Sequence, residues 1–362
     1  MRATKQLHDA GQSLWLDNIT RSLLTSGTLR RYIDELSVTG LTSNPAIYDK
    51  AIEGTSDYDT AVRELLAEGK AGEELFFELA LDDLRTASDI FRPIHERTRG
   101  VDGLVSLEVS PLISYDAEST IQAAKELFAR AERPNLYIKI PGTPEGLAAI
   151  EECILAGVPV NVTLLFSREQ YLAQAEAYVR GIERRVEAGL DPFVGSVASV
   201  FVSRWDGAVK GKVPAKLENK LGIAACKQTY SAYRDLYGSD RWLRLANEGA
   251  RPQRLLWAST STKDPGLPDT TYVTALAAPN TVDTIPEATL LAFGDHGTVN
   301  GLLPADGGDA EDVLGEFEQA GIDVQALAAK LQVDGAESFN AAWNELMHCI
   351  ARKTDKLMAA VR

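Results

Sequence analysis

The segment NLYIKIPGT, residues 135–143, decides how this chain folds. Successive side chains of a strand face opposite sides, so residues two apart share a face. Leu136, Ile138 and Ile140 therefore make one apolar face, and Tyr137 and Lys139 lie on the other. Pro141-Gly142 ends the strand, which leaves Lys139 as the last residue of the second face. In a parallel barrel the outward face packs on helices. Polar residues near the C-terminal strand ends then point into the mouth, where barrel enzymes place their chemistry. A lone Asp or Ser at a strand end commonly caps a helix or forms a turn. An inward lysine is harder to assign to structure, because a buried ammonium without a partner is costly.

Short apolar runs of this kind recur between longer amphipathic stretches, as when strands alternate with helices. The strand candidates are Ser13–Ile19, Ser37–Asn44, Gly103–Pro111, Asn135–Gly142, Val158–Phe166, Val194–Ser203, Arg254–Ser261 and Thr271–Ala277. Helices are expected at Tyr58–Glu68, Gly72–Arg92, Ser119–Ala131, Gly146–Ala156, Arg168–Ala188 and Lys216–Tyr237. Eight such units predict an α/β fold, a single (β/α)8 TIM barrel. From about Glu311 to residue 362 the pattern is helical, an extension of the same domain. Phe339, Trp343, Leu346, Ile350 and Leu357 recur at helical spacing on a last helix. Trp343 and Met347 are expected to turn it over the barrel mouth. No low-complexity linker divides residues 1–362, so one domain is expected.

The parity rule extends to the other strands. Val105, Leu107 and Val109 face helices while Ser106, Glu108 and Ser110 face in. Val160, Val162 and Leu164 face out, with Asn161 and Thr163 inward. Leu14 and Leu16 oppose Trp15 and Asp17, and Ala198, Val200 and Val202 oppose Ser199 and Phe201. Five strands thus aim Asp17, Glu108, Lys139, Asn161, Thr163 and Ser199 at one place.

Composition narrows the class. Hydrophobic residues are 45% and charged residues 25%, as in an ordinary soluble core. Lys and Arg number 37 against 52 Asp and Glu, a net charge of −15. That argues against nucleic-acid or membrane partners, but leaves room for an anionic small molecule if basic groups gather locally. Arg204, just past the sixth strand, and Ser259, Ser261 and Lys263 around the seventh lie where barrels often bind phosphate. An ion pair of Arg204 with Asp206 is the bland alternative. Cys153, Cys226 and Cys349 are too scattered for a disulfide framework. With no charged-then-apolar leader at the N-terminus, a cytoplasmic protein is expected, as a monomer or homodimer. His8, His95, His296 and His348 show no metal-ligand spacing. No Walker loop or dinucleotide fingerprint is present, and Asp306-Gly307-Gly308-Asp309 reads as a solvated turn. No metal and no cofactor are expected.

A lysine amine attacks a carbonyl only when neutral, and at an ordinary pKa near 10.4 roughly one in 2,500 is neutral at pH 7. Apolar surroundings raise that fraction. The protonated imine that forms is an electron sink, so a carbon–carbon bond two atoms away can break. Two carboxylates, Glu108 and Asp17, can divide the proton transfers. Asn161, Thr163 and Ser199 can orient hydroxyls and a water.

Five segments in order resemble the transaldolase family: LTSNPAIY (41–48), SLEVSPLISYD (106–116), NLYIKIPGT (135–143), NVTLLFS (161–167) and SVFVSRWD (199–206). The likeness runs from the first strand to the seventh, with the longer-chain bacterial and plant branch the most similar. It implies a dihydroxyacetone unit passed from sedoheptulose 7-phosphate to glyceraldehyde 3-phosphate, giving erythrose 4-phosphate and fructose 6-phosphate in the pentose phosphate pathway. On that resemblance Lys139 is the Schiff-base lysine and Glu108 the acid/base, acting through a water held with Thr163. Asp17 takes the substrate hydroxyl proton. Asn44, Asn161 and Ser199 resemble hydroxyl-contacting residues, Phe201 the ring that lines the site and Arg204 the phosphate-binding arginine. The chain departs from the better-known branch in WASTSTK (257–263), where Ser261 replaces a phosphate-holding arginine and Lys263 is the candidate substitute. Two other readings share the scaffold: an aldolase that releases free dihydroxyacetone, and an inactive sugar-phosphate binder. Glu108 favours the transferase, since related aldolases usually place a different residue there.

Overall fold

A computed structural model describes residues 2–359. Eight parallel strands run in chain order: β1 (Gln12–Asp17), β2 (Val38–Thr42), β3 (Leu104–Glu108), β4 (Leu136–Pro141), β5 (Val160–Leu165), β6 (Ser196–Phe201), β7 (Arg254–Ala258) and β8 (Thr281–Ile285). Each pairs with the next and β8 returns to β1, so the sheet closes into a (β/α)8 barrel. Leu136, Ile138 and Ile140 face the helix layer, as do Val105, Leu107, Val160, Val162, Ala198 and Val200. The opposite parity fills the interior: Trp15, Leu104, Tyr137, Val197, Leu256 and Val282 form one apolar cluster. Gly40 leaves room for Trp15, because a Cβ there would lie 2.7 Å from the indole nitrogen. The barrel is therefore packed through its middle, with polar residues at both ends: Asp17, Glu108 and Lys139 at the C-terminal side, Ser13 and Arg254 at the N-terminal side.

Some of the outer helices start at short-range capping signals. The helix Arg168–Glu187 opens on a reciprocal cap, in which Ser167 accepts from Gln170 N and the Gln170 side chain accepts from the Ser167 amide. Two helices, Ala310–Gln319 and Val324–Ala359, follow the barrel. No helix among the described residues is long and apolar enough to cross a membrane.

Three expectations are corrected. Thr271–Ala277 is not a strand; Thr271–Ala275 is a one-turn helix. Its Thr, Tyr and Val residues carry β propensity, but the turn is held from outside, by Tyr272 donating to Asp206 and Trp257 Nε1 donating to Leu276 O. The eighth strand lies further on, at Thr281–Ile285, where Asp283 interrupts the apolar run that would have marked it. Leu164 does not face the helices. Its φ of 62° and a register break between Val162 and Leu165 turn it into the inner cluster, and Leu165 takes the outward place. Helix formation after Lys216 is also delayed: a 3-10 turn (Ala215–Leu217) and Asn219 at φ 61° precede the helix Leu221–Gly238.

Candidate active site

β3 and β4 are in register with Glu108 opposite Lys139, and β4 and β5 with Lys139 opposite Asn161. That register puts the two ionisable side chains on neighbouring strand ends. The Lys139 ammonium donates to Glu108 Oε2 at 3.1 Å, with Lys139 7% and Glu108 4% exposed. Burial pushes the Glu108 carboxyl above its ordinary range; the Lys139 charge opposes this and the nearby Asp17 adds to it. Asp17, at the end of β1, is raised by burial as well, opposed by Lys139 and by a hydrogen bond from Thr42 to Oδ1 at 3.0 Å. Glu108 Oε1 and Thr163 Oγ1 are buried and have no hydrogen-bond partner among the described residues.

A polar chain continues around the mouth. Ser199 donates to Asn161 Oδ1 at 2.7 Å, and Asn161 Nδ2 donates to Ser106 Oγ at 3.1 Å, which fixes the amide orientation. Asn44 follows β2 and caps the helix Pro45–Glu53, accepting from Ile47 N at 3.1 Å. Phe201 ends β6 and packs on Phe166 at 5.4 Å between centroids.

Arg204 lies in the helix Ser203–Val209, with its guanidinium 5.0 Å from the Phe201 ring and 5.8 Å from that of Phe339. Asp206 does not pair with it; that carboxylate accepts from Gly222 N at 3.1 Å and Tyr272 OH at 2.8 Å. Arg204 is a half-buried cation with no carboxylate within 4.0 Å among the described residues. Burial lowers its pKa from the usual arginine range, yet a guanidinium remains charged. Ser259, left-handed at φ 59°, shares a 2.9 Å hydrogen bond with Ser203 at the start of that helix. Ser261 is half-buried beyond it and Lys263 is exposed.

The last helix does cover the mouth, but through other residues than expected. Trp343 packs edge-on to Phe76 at 5.2 Å, on the helix Gly72–Arg97. Phe339 is the residue over the site, with its ring 5.2 Å from Lys139 Nζ. Gln332 bridges the strand ends by donating to Gly142 O and Leu164 O, both at 2.9 Å. Gly335 lets the helix approach; a Cβ there would lie 2.9 Å from Leu164 Cδ2 and 3.3 Å from Arg204.

A lysine paired with a carboxylate at a barrel mouth narrows the family. The sequence profile of transaldolase/fructose-6-phosphate aldolase matches residues 14–350. The chain belongs to this family. Its relatives include a transaldolase of Parafrankia sp., 44% identical over 353 residues, which spans 95% of this chain and 96% of that protein. The transaldolase of Acidothermus cellulolyticus is 43% identical over 359 residues, covering 97% and 96%. Transaldolase 2 of Streptomyces coelicolor is 42% identical over 354 residues, covering 95% of each.

Two threonines escaped the sequence reading. Thr42 of β2 donates to Asp17, and its hydroxyl lies 2.5 Å from that of Thr284 on β8. Thr42 has the inward parity and could have been found by extending the rule to β2. Thr284 could not, since its strand was misplaced. Phe339 carried no local signal of its position over Lys139.

Proposed function

We propose that the protein is a transaldolase that moves a dihydroxyacetone unit between ketose and aldose phosphates through an imine on Lys139. The observation that carries this reading is the buried 3.1 Å contact of Lys139 Nζ with Glu108 at the barrel mouth, beside Asp17. Glu108 can take a proton from the ammonium as the amine attacks the ketose carbonyl carbon. A water held by Glu108 Oε1 and Thr163 then relays the proton that lets hydroxide leave the carbinolamine as water. With the imine formed, Asp17 removes the proton of the hydroxyl two carbons away, the carbon–carbon bond breaks, and its electron pair moves into the iminium. An aldose phosphate leaves. The three-carbon enamine stays on Lys139 until an acceptor aldose phosphate enters and the steps run in reverse.

The remaining side chains fit positioning roles in this scheme. Asn44, Asn161 and Ser199 hold hydroxyls, Phe201 walls the site, and Arg204 takes the phosphate with help from Ser259, Ser261 and Lys263. A planar fork seated on two rings suits a phosphate. We propose that barrel and C-terminal helices act as one domain, since Phe339 completes the site, and that the enzyme serves the pentose phosphate pathway in the cytoplasm. An aldolase would use the same imine but release dihydroxyacetone to water. The ring of Phe339 over Lys139 favours retention of the intermediate.

Borohydride trapping with fructose 6-phosphate, followed by peptide mass mapping, tests the reading. A reduced three-carbon adduct on Lys139 is expected. An adduct on Lys263 would overturn the site, and no adduct from folded protein would overturn the imine. Dihydroxyacetone released at full rate without an acceptor would make the enzyme an aldolase.

A further inference from the structure

The opposite end of the barrel holds a cavity of about 670 Å³, a volume suited to a small molecule. Residues at the N-terminal strand ends line it, among them Ser13, Ser196 and Arg254. Its charge runs against that of the chain. The protein carries −15 overall, yet Arg234, Arg251 and Arg254 line this cavity against a single carboxylate, Asp102. That carboxylate is already engaged: Oδ2 accepts from Ser13, and Oδ1 accepts from Trp15 Nε1 at 2.9 Å. None of the three arginines has a carboxylate within 4.0 Å among the described residues.

Two further features point to a ligand. Arg254 is held at the barrel floor by donating to Ser13 Oγ and Thr281 O, both at 2.6 Å. Among the described residues Arg251 is held only by stacking, its guanidinium 5.0 Å from the Phe193 ring centroid, so its donors remain available. Tyr137 forms the inner wall. It is 5% exposed, and its hydroxyl has no hydrogen-bond partner among the described residues. The hydroxyl fits because residue 195 is glycine; a Cβ there would lie 1.8 Å from it.

We propose that this cavity binds an organic phosphate bearing a flat ring, the chemistry of a nucleoside phosphate. Guanidinium groups that no carboxylate neutralises suit a phosphate better than any neutral ligand. Phe193 and Tyr233 line the cavity and give the ring aromatic contacts, and the Tyr137 hydroxyl offers one further hydrogen bond. The site lies at the far end of the barrel from Lys139 and does not depend on the imine chemistry.

Calorimetric titration of the full chain with AMP, ribose 5-phosphate and inorganic phosphate tests this. An Arg204→Ala background removes competition from the phosphate arginine of the mouth. One AMP should bind per chain, more tightly than ribose 5-phosphate. Adding Arg234→Ala and Arg251→Ala should weaken AMP by about tenfold or more. Both side chains reach solvent, so the melting temperature should stay unchanged. Absence of saturable AMP binding, or equal affinity after both substitutions, overturns the site. Ribose 5-phosphate binding as tightly as AMP overturns the ring requirement.

Discussion

Two buried carboxyls in this barrel show what the inner and outer faces do to the same group. Glu108 ends β3 on the inward face, and one oxygen accepts from Lys139 at 3.1 Å. Asp283 lies in β8 on the outward parity, completely buried against the helix layer near Cys226, and neither oxygen has a partner among the described residues. Burial raises both, but Asp283 reaches about 8. Thr260 opposes that rise only in part, since its hydroxyl donates to Thr284 O at 3.2 Å. Burial alone perturbs a carboxyl; a facing cation and a route to the mouth are what make one useful.

The largest expected effect separates these two groups. Glu108→Gln should lower kcat by roughly 10²–10⁴-fold, while Asp283→Asn should leave it within about twofold. Equal losses in steady-state assays would erase the distinction. Because Glu108 is raised, the acid limb of kcat/KM should lie above the ordinary glutamate value of about 4.3, and it should vanish in the Gln variant.

Charges around the proposed phosphate site come next. Arg204→Ala should raise KM for fructose 6-phosphate by roughly 10–100-fold, the value of one or two charge-assisted hydrogen bonds. Lys263→Ala should cost only about threefold, because its charge is exposed and screened. A reversed order would make Lys263 the principal phosphate group.

Phe339→Leu removes a ring that faces both cations of the mouth. A loss of about 3–30-fold in transfer is expected, with more dihydroxyacetone released when no acceptor is present. Phe339→Tyr keeps the ring and should restore most of it. If the Leu variant matches the parent in both assays, the ring has no part in retention.

The smallest effect on activity is at Asp283, where the readout is stability. A raised folded pKa gives stability that is full below the unfolded value near 4 and is lost as pH rises through the folded value of about 8. Asp283→Asn should therefore gain on the parent between pH 4 and pH 8, reaching roughly 5 kcal/mol for a shift of about four pKa units, and then level off. Parallel urea-unfolding profiles across that range would show that Asp283 is not held neutral.

The period-two reading was sufficient for Asp17, Glu108, Lys139, Asn161 and Ser199, because strand parity is a local property of backbone geometry. It failed at Leu164, where one left-handed residue shifts parity, and at Thr271–Ala275, where contacts from Trp257 and Asp206 override β propensity. The sequence by itself determined the alternation of strands and helices and which polar side chains the strand ends bring to the mouth. Only the tertiary structure decided that Phe339 sits over Lys139, that Thr284 meets Thr42, and that three arginines share the barrel floor. Those pairings join residues far apart in the chain, and barrel closure and helix docking, which no local period encodes, bring them together.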